Sequence, residues 1–311
     1  MLRRVLLAAS ASQRVRQLIT TAPVTRDVVK RFVAGDDAAS VLAVTERLLG
    51  LGRSVTIDYL GEDTVDPEQA TAVTTEYVTL LELLGSAGLT IGGRAEVSVK
   101  PTAVGLGLAE HGEKTAAENV GRICAAAQAV GTTVTVDMED HTWVDATLRL
   151  VNDLRADFPD LGCVIQSYLR RSPGDCAALA VAGSRVRLCK GAYRAPDGFA
   201  FAARSEIDRS YARCLRILLD GAGYPMLATH DPRLVAIAKS RITTIGRDPG
   251  SFEYQMLYGI RTDEQAKLTA EGAQVRVYVP YGNDWYGYFM RRLAERPANL
   301  AFFLRALASR H

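Results

Sequence analysis

Two adjacent arginines, Arg291 and Arg292, lie in the run YVPYGNDWYGYFMRRLAERPAN, residues 278–299, where an apolar strand pattern passes through a turn into a short helical one. Neighbouring guanidiniums on one short element make an anion site, because each can grip a carboxylate bidentately in a geometry that lysine cannot reproduce. Gly282 breaks the strand, Asn283 or Asp284 can cap the helix, and Pro297 blocks its continuation beyond Arg296. Successive helical residues are about 100° apart, so one arginine can face a pocket squarely while the other reaches in from its edge. Glu295 is within i,i+4 and i,i+3 reach of the pair, which would also suit a solvent-facing helix laced by ion pairs. Further groups able to bind charge or move protons recur upstream, each near the end of an apolar run: Glu62, Lys100, Asp137, Glu139, Gln166, Arg187, Lys190, Thr229, His230 and Tyr278.

The runs that carry them are short and rich in Val, Ile, Thr and Tyr. They cover residues 54–59, 95–100, 133–138, 163–168, 185–190, 225–229, 252–257 and 274–279, and every gap has room for a helix. Strand and helix alternating in this way predict a parallel (βα)8 barrel, in which the C-terminal strand ends converge on one mouth and bring the polar residues together. Residues 1–50 are expected to add helices that pack on the barrel, residues 51–311 to form the barrel itself. A doubly wound open sheet is the alternative, but no strand is followed by GxGxxG; in VGLGLAEHG the third glycine position is Glu110.

Composition narrows the function. The chain has 311 residues, 48% of them hydrophobic, and a net charge of +2 from 37 basic and 35 acidic side chains, so nothing marks it as a nucleic-acid binder. Cys124, Cys163, Cys176, Cys189 and Cys214 form no CxxC and are expected to be reduced thiols in a cytosol-like compartment. His111, His141, His230 and His311 show no metal-binding spacing, and no metal is expected. No stretch has the ~18 consecutive apolar residues of a membrane span. Residues 1–26 contain five arginines and no acid. A helix closing the barrel's base is the favoured expectation there, with a targeting segment as the other reading.

Several motifs together resemble the proline dehydrogenase family. They are VSVKP at 97–101, VDMED at 136–140, IQSYL at 165–169, RLCKGAY at 187–193, ATHD at 228–231, FEYQMLYG at 252–259 and the terminal run above. They fall in family order over about the last three quarters of the chain and look most like the short, monofunctional bacterial members. The resemblance implies a distorted (βα)8 barrel that oxidises L-proline to 1-pyrroline-5-carboxylate. Removing a hydride from carbon needs an acceptor that no side chain provides, and the resemblance implies FAD. It implies that Arg187 and Asp137 lie at the flavin ring, Gln166 at the ring edge, and Lys190, Gly191 and Ala192 beneath it. Ala228, Thr229, His230 and Asp231 would meet the ribityl, pyrophosphate and adenosine side, with Gln255 and Leu257 also against the cofactor and Glu295 near the adenosine ribose.

The resemblance also implies that proline's carboxylate is held by Arg291, Arg292 and Lys100, and its ring by Tyr193, Leu257 and Tyr278. Lys100, Asp137, Arg187 and Tyr278 are then the catalytic set, and Glu62, in YLGED, pairs with Arg291 as a gate. Implied partners are a quinone-type electron acceptor reached by peripheral contact with the inner face of a membrane, and a separate pyrroline-5-carboxylate dehydrogenase, since DNA-binding and aldehyde dehydrogenase domains are not expected. Two positions depart from the pattern: Asp231 stands where ATHN is more familiar, and Ala301 where some relatives have serine. Tyr278 favours proline over 4-hydroxyproline, because its bulk fills the space of the extra oxygen; a hydroxyproline dehydrogenase is the alternative within the family. The rival from another class is a glycosidase using Asp137 and Glu139. Only two tryptophans, Trp143 and Trp285, are available to stack on a sugar, which disfavours that reading.

Overall fold

The computed structural model describes residues 29–193 and 195–288. Its strands are β1 (Ser54–Tyr59), β2 (Ala95–Val99), β3 (Val134–Val136), β4 (Gly162–Gln166), β5 (Arg185–Cys189), β6 (Tyr224–Ala228), β7 (Glu253–Leu257) and β8 (Val275–Tyr281). They pair in parallel in chain order, and β8 closes on β1, so the sheet is a barrel without edges. The helices are α1 (Ala38–Gly50), α2 (Pro67–Ser86), α3 (Gly112–Ala129), α4 (Val144–Leu154), α5 (Ser172–Leu179), α6 (Arg204–Asp220), α7 (Pro232–Ile245) and α8 (Thr262–Ala270). From α2 onward each helix joins two consecutive strands. α1 precedes β1 and packs against β1 and β8, filling the wall position between the last strand and the first.

Local chemistry sets the helix starts. Asp37, Asp66 and Asp231 each stand at an N-cap in extended backbone and accept from the amide of Ser40, Glu68 and Arg233 respectively. Pro67 and Pro232 follow two of these caps, where their fixed φ suits a first helical turn and no amide is missed.

Alternation along the strands builds two separate interiors. Val55, Ile57, Val97, Val99, Val186 and Leu188 face outward and are buried with Leu80, Leu81 and Leu84 of α2, Ile123 of α3 and Leu215 of α6. Each such side chain contributes roughly 1.5–3 kcal/mol by leaving water. The other face of the same strands points to the axis and is polar: Thr56 and Asp58, Glu96 and Ser98, Arg185 and Arg187, Glu253 and Gln255, Arg276. Four cations, Lys100, Arg185, Arg187 and Arg276, meet four carboxylates, Asp58, Glu96, Asp137 and Glu253. Unpaired charge there would be prohibitive, so the balance is what makes the polar core tolerable.

The strands end differently from the pattern in sequence. β3 stops at Val136 and β4 at Gln166, each two residues earlier than expected, so Asp137 lies just beyond its strand while its amide still donates to Val99 O at 2.9 Å. β8 runs two residues further, to Tyr281, and Tyr278 is within it rather than at its end. Residues 29–36 do not lie at the base. Ala34 N donates to Pro280 O and Gly282 N to Gly35 O, both at 2.9 Å, which ties this segment to the mouth end of β8. Gly259, at φ +72°, permits the crossing, because a Cβ there would be 1.8 Å from Arg31 O. Residues 1–26, expected at the base, are outside the described residues.

Candidate active site

The mouth of the barrel holds a cavity of about 1050 Å³, at the top of the ~300–1,000 Å³ range of ligand pockets. Its floor is the upper layer of axis-facing side chains. Arg187 projects from the middle of β5 and donates through Nη1 to Asp137 Oδ1 at 2.7 Å and to Ser98 Oγ at 2.9 Å. Ser98 Oγ lies 2.8 Å from the same Asp137 oxygen. The other oxygen of Asp137 accepts from the Tyr278 hydroxyl at 2.8 Å. The guanidinium carbon stands 5.3 Å from the centre of the Tyr278 ring, a cation–π distance. Arg187 Nε and Nη2 are buried and make no hydrogen bond among the described residues. Burial and the Asp137 carboxylate hold the Tyr278 phenol well above its usual range, so it stays a donor.

Beside this cluster, Lys100 follows β2 and is buried, with Nζ 2.5 Å from Asp58 Oδ1. Burial opposes the charge on Lys100, but Asp58 and Asp137 outweigh it and raise the ammonium's proton affinity. Below lies Glu96, 2.7 Å from Arg185 and 3.8 Å from Arg187 and from Arg276. Burial alone would push its carboxyl up; the three guanidiniums prevail and hold it at about 2.

One wall of the cavity comes from the ends of β4 and β5. Gln166 Nε2 donates to Met138 O at 3.2 Å and Glu139 O at 2.7 Å, which fixes the amide. Its Oε1 points toward Gly191, where a Cβ would be 2.2 Å from the Tyr168 ring and 3.0 Å from that oxygen. Gly191, at φ +96°, therefore makes a backbone surface that no side chain could share. Lys190, Ala192 and Tyr193 continue this wall, and Gln255 and Leu257 of β7 line the cavity elsewhere. Gln255 also donates to Glu253 at 2.5 Å, which ties it to the layer beneath.

Ala228, Thr229, His230 and Asp231 line the far side. His230 Nε2 accepts from Leu257 N at 2.9 Å, which fixes the ring against the end of β7. Asp231 caps α7 and accepts from Lys190 at 3.0 Å and Arg233 at 2.8 Å; Asp208 meets the same two cations at 2.5 and 2.9 Å. Hydrogen bonds from Arg233, then from Lys190, keep the Asp231 carboxyl ionised and far below its usual range. Glu62 lies on the loop after β1, with Oε2 3.5 Å from the Tyr193 hydroxyl.

The structure thus brings Lys100, Asp137, Gln166, Arg187, Lys190–Tyr193, Ala228–Asp231, Gln255, Leu257 and Tyr278 around one cavity. Arg291, Arg292, Glu295 and Ala301 lie outside the described residues. Asp58, Ser98, Glu96 and Asp208 belong to the site or its support and were not singled out in the sequence. Period-two alternation within the strand runs was the available signal for the first three. The glycosidase reading fails on position: Glu139 is buried on Thr102, accepting from its amide at 2.9 Å and its hydroxyl at 2.6 Å, and does not line the cavity that Asp137 lines. Among the described residues no cluster of His, Cys, Asp or Glu could hold a metal ion, and no helix is long and apolar enough to cross a membrane.

The family model for proline dehydrogenase matches residues 41–305. The chain belongs to the proline dehydrogenase family. It is 39% identical over 283 residues to a proline dehydrogenase of Deinococcus radiodurans, covering 90% of each chain, and 36% identical over 307 residues to proline dehydrogenase 1 of Bacillus subtilis, covering 99% of each. Among solved structures, proline utilization A of Bdellovibrio bacteriovorus superposes with a TM-score of 0.78 at 24% identity, covering 86% of this chain and 32% of that one. The corresponding protein of Bradyrhizobium japonicum gives 0.72 at 23% identity, covering 89% and 32%. These structural likenesses speak to the shared barrel.

Proposed function

We propose that this protein oxidises L-proline to 1-pyrroline-5-carboxylate with a noncovalently held FAD in the mouth cavity, and that a quinone-type compound takes the electrons. The observation that carries the reading is the Arg187 cluster: a buried guanidinium anchored through one nitrogen to Asp137 and Ser98, with Nε and Nη2 making no hydrogen bond among the described residues, under a cavity large enough for a dinucleotide. When bound, FAD supplies the two-electron acceptor that side chains cannot. The residues fit such a group. Arg187 offers fixed positive charge at the floor, Gly191 leaves room for a flat ring, Gln166 presents an oriented amide, and Thr229, His230 and Lys190 line the side toward the start of α7. Ala192, Ala228, Asp231, Gln255 and Leu257 complete the surroundings, with Glu295 at the adenosine end.

The protein's own part in the reaction is to bind, orient and exclude water. Lys100, Arg291 and Arg292 hold the substrate carboxylate, Tyr193, Leu257 and Tyr278 its apolar ring, and Asp137 fixes both Tyr278 and Arg187. Glu62 gates the entry with Arg291. Release of the product to a separate pyrroline-5-carboxylate dehydrogenase and contact with a membrane surface follow from the same reading. The test is an absorbance spectrum of the purified protein, then heat or acid release of the chromophore for mass analysis. FAD should be recovered, and the visible flavin band should bleach on anaerobic addition of about 10 mM proline, a large excess over ordinary KM values. Recovery of FMN, or a colourless protein from riboflavin-replete cells, would overturn the assignment.

A further inference from the structure

Asp58 is fully buried at the mouth end of β1 and its Oδ1 is 2.5 Å from the Lys100 ammonium. It does little else. Among the described residues its Oδ2 has no hydrogen-bond partner, and Tyr77, 3.5 Å from Oδ1, spends its proton on Ser98 O at 2.8 Å. A carboxylate buried with one oxygen unused is not explained by packing, since a leucine or asparagine would fill the space without the desolvation cost of a charge. The pairing with Lys100 explains it. We propose that Asp58 is the positioning residue that holds Lys100 as an ammonium at the mouth and makes carboxylate binding there insensitive to alkaline pH. This inference rests on the reading that the mouth binds proline's carboxylate.

The physical ground is that a buried lysine without a counter-ion sheds its proton readily. The groups facing the pair from neighbouring elements are Asp137, Glu139, Glu62, Tyr77, Tyr278 and Tyr281. Asp137 and Tyr278 are hydrogen-bonded to each other and Asp137 to Arg187, and Glu139 is held by Thr102, so among the described residues Asp58 is the acid in direct contact with the amine. Removing its charge leaves Lys100 in the same burial with weaker support.

The experiment titrates flavin-loaded protein with tetrahydro-2-furoic acid, a proline analogue that carries the carboxylate and cannot be dehydrogenated at nitrogen, following flavin absorbance from about pH 6 to pH 10. Wild-type affinity should change less than about threefold over that range. Asp58→Asn should bind within a few-fold of wild type at the acid end and lose about tenfold or more toward the alkaline end, consistent with the lowered proton affinity of an uncompensated buried lysine. The double variant Asp58→Asn, Lys100→Arg should lose this alkaline limb, because a guanidinium keeps its proton without help. A weakening by the same factor at every pH, or an alkaline limb that survives the arginine, overturns the proposal. Asp58→Ser provides the same comparison in a smaller side chain. If neither variant gives folded, flavin-loaded protein, Asp58 determines the fold and the proposal is wrong. Failure of the underlying reading is distinguishable, since then wild-type protein would bind no flavin or leave proline unoxidised.

Discussion

Glu96 is fully buried and enclosed by three guanidiniums at the centre of the barrel, of which Arg185 is partly exposed. With its carboxyl held at about 2, against about 4.3 for a glutamate in an unfolded chain, the folded state binds its proton less tightly than the unfolded one. Its contribution is therefore complete above about pH 4.3 and is lost as the pH falls toward 2. Replacing it with glutamine leaves the cations of Arg185, Arg187 and Arg276 facing fewer acids than before, a loss of roughly 3–5 kcal/mol when one partner of a buried pair is removed. Urea midpoints for wild type and Glu96→Gln should differ widely at pH 7 and converge as wild type is taken below about pH 4. A gap that stays constant down to pH 2.5 would mean the carboxylate's charge is irrelevant to the core. Arg187 shares that acid at 3.8 Å, so the same variant also tests whether the lower layer steadies the site above it.

The loops at the mouth are joined through Glu139 and Thr102. Glu139 accepts from the Thr102 amide and hydroxyl; the Thr102 hydroxyl accepts from Asp63 N at 3.0 Å, Thr102 O from Thr64 N at 3.2 Å, and Glu139 O from Gln166. The segments after β1, β2 and β3 and the end of β4 are thereby fixed together, with Glu62 beside Asp63. Burial, only partly offset by the bonds from Thr102, pushes the Glu139 carboxyl up to about 7. The sign is the reverse of Glu96: the folded state holds the proton more tightly, so stability declines as pH rises from about 4.3 to about 7. Glu139→Gln keeps an acceptor for Thr102 N without the buried charge. Its unfolding midpoint should be flatter between pH 5 and 8, with an advantage over wild type at pH 8 on the order of 1–3 kcal/mol. Parallel decline of both proteins would show that Glu139 does not titrate in that window. Sequence patterning located every strand to within two residues at the ends named above and placed Arg187, Asp137 and Lys100 near the mouth. It missed Asp58, Glu96 and Ser98 because alternation was used to find strands and not to ask which face was the axis. In β1, apolar Val55 and Ile57 serve the helices while Thr56 and Asp58 serve the site. Asp208 was invisible for another reason: it comes from α6, and no pattern in that helix signals contact with the ends of β5 and β6.

At the scale of the whole molecule, the placement of α1 bears on how the site is completed. In a regular barrel the helix after β8 would return along the wall between β8 and β1. Here α1 fills that position, so the chain leaving β8 at Tyr281 is released from the wall and begins a helical turn at Trp285 with Tyr288 already lining the mouth cavity. Arg291 and Arg292 follow three and four residues later in the sequence, and the proposed function assigns them to the substrate carboxylate. Truncating one partner of a buried, hydrogen-bonded charge pair costs roughly 2–5 kcal/mol, and each ~1.4 kcal/mol is tenfold. Arg292→Ala should then lower kcat/KM for proline about 30-fold or more, with far-UV circular dichroism and flavin content unchanged. Arg292→Lys, which keeps the charge without the planar fork, should recover only part of the loss. A solvent-facing ion pair with Glu295 is worth only about 0.2–0.5 kcal/mol of helix stability, and its removal would leave the kinetics nearly untouched. Tetrahydro-2-furoic acid should lose affinity in the alanine variant while its carboxamide, with no charge for the guanidinium to meet, should hardly change. Near wild-type kcat/KM in both Arg291→Ala and Arg292→Ala would move the carboxylate clamp to the mouth's other cations, Lys100 before Arg187, which is already held by Asp137 and Ser98.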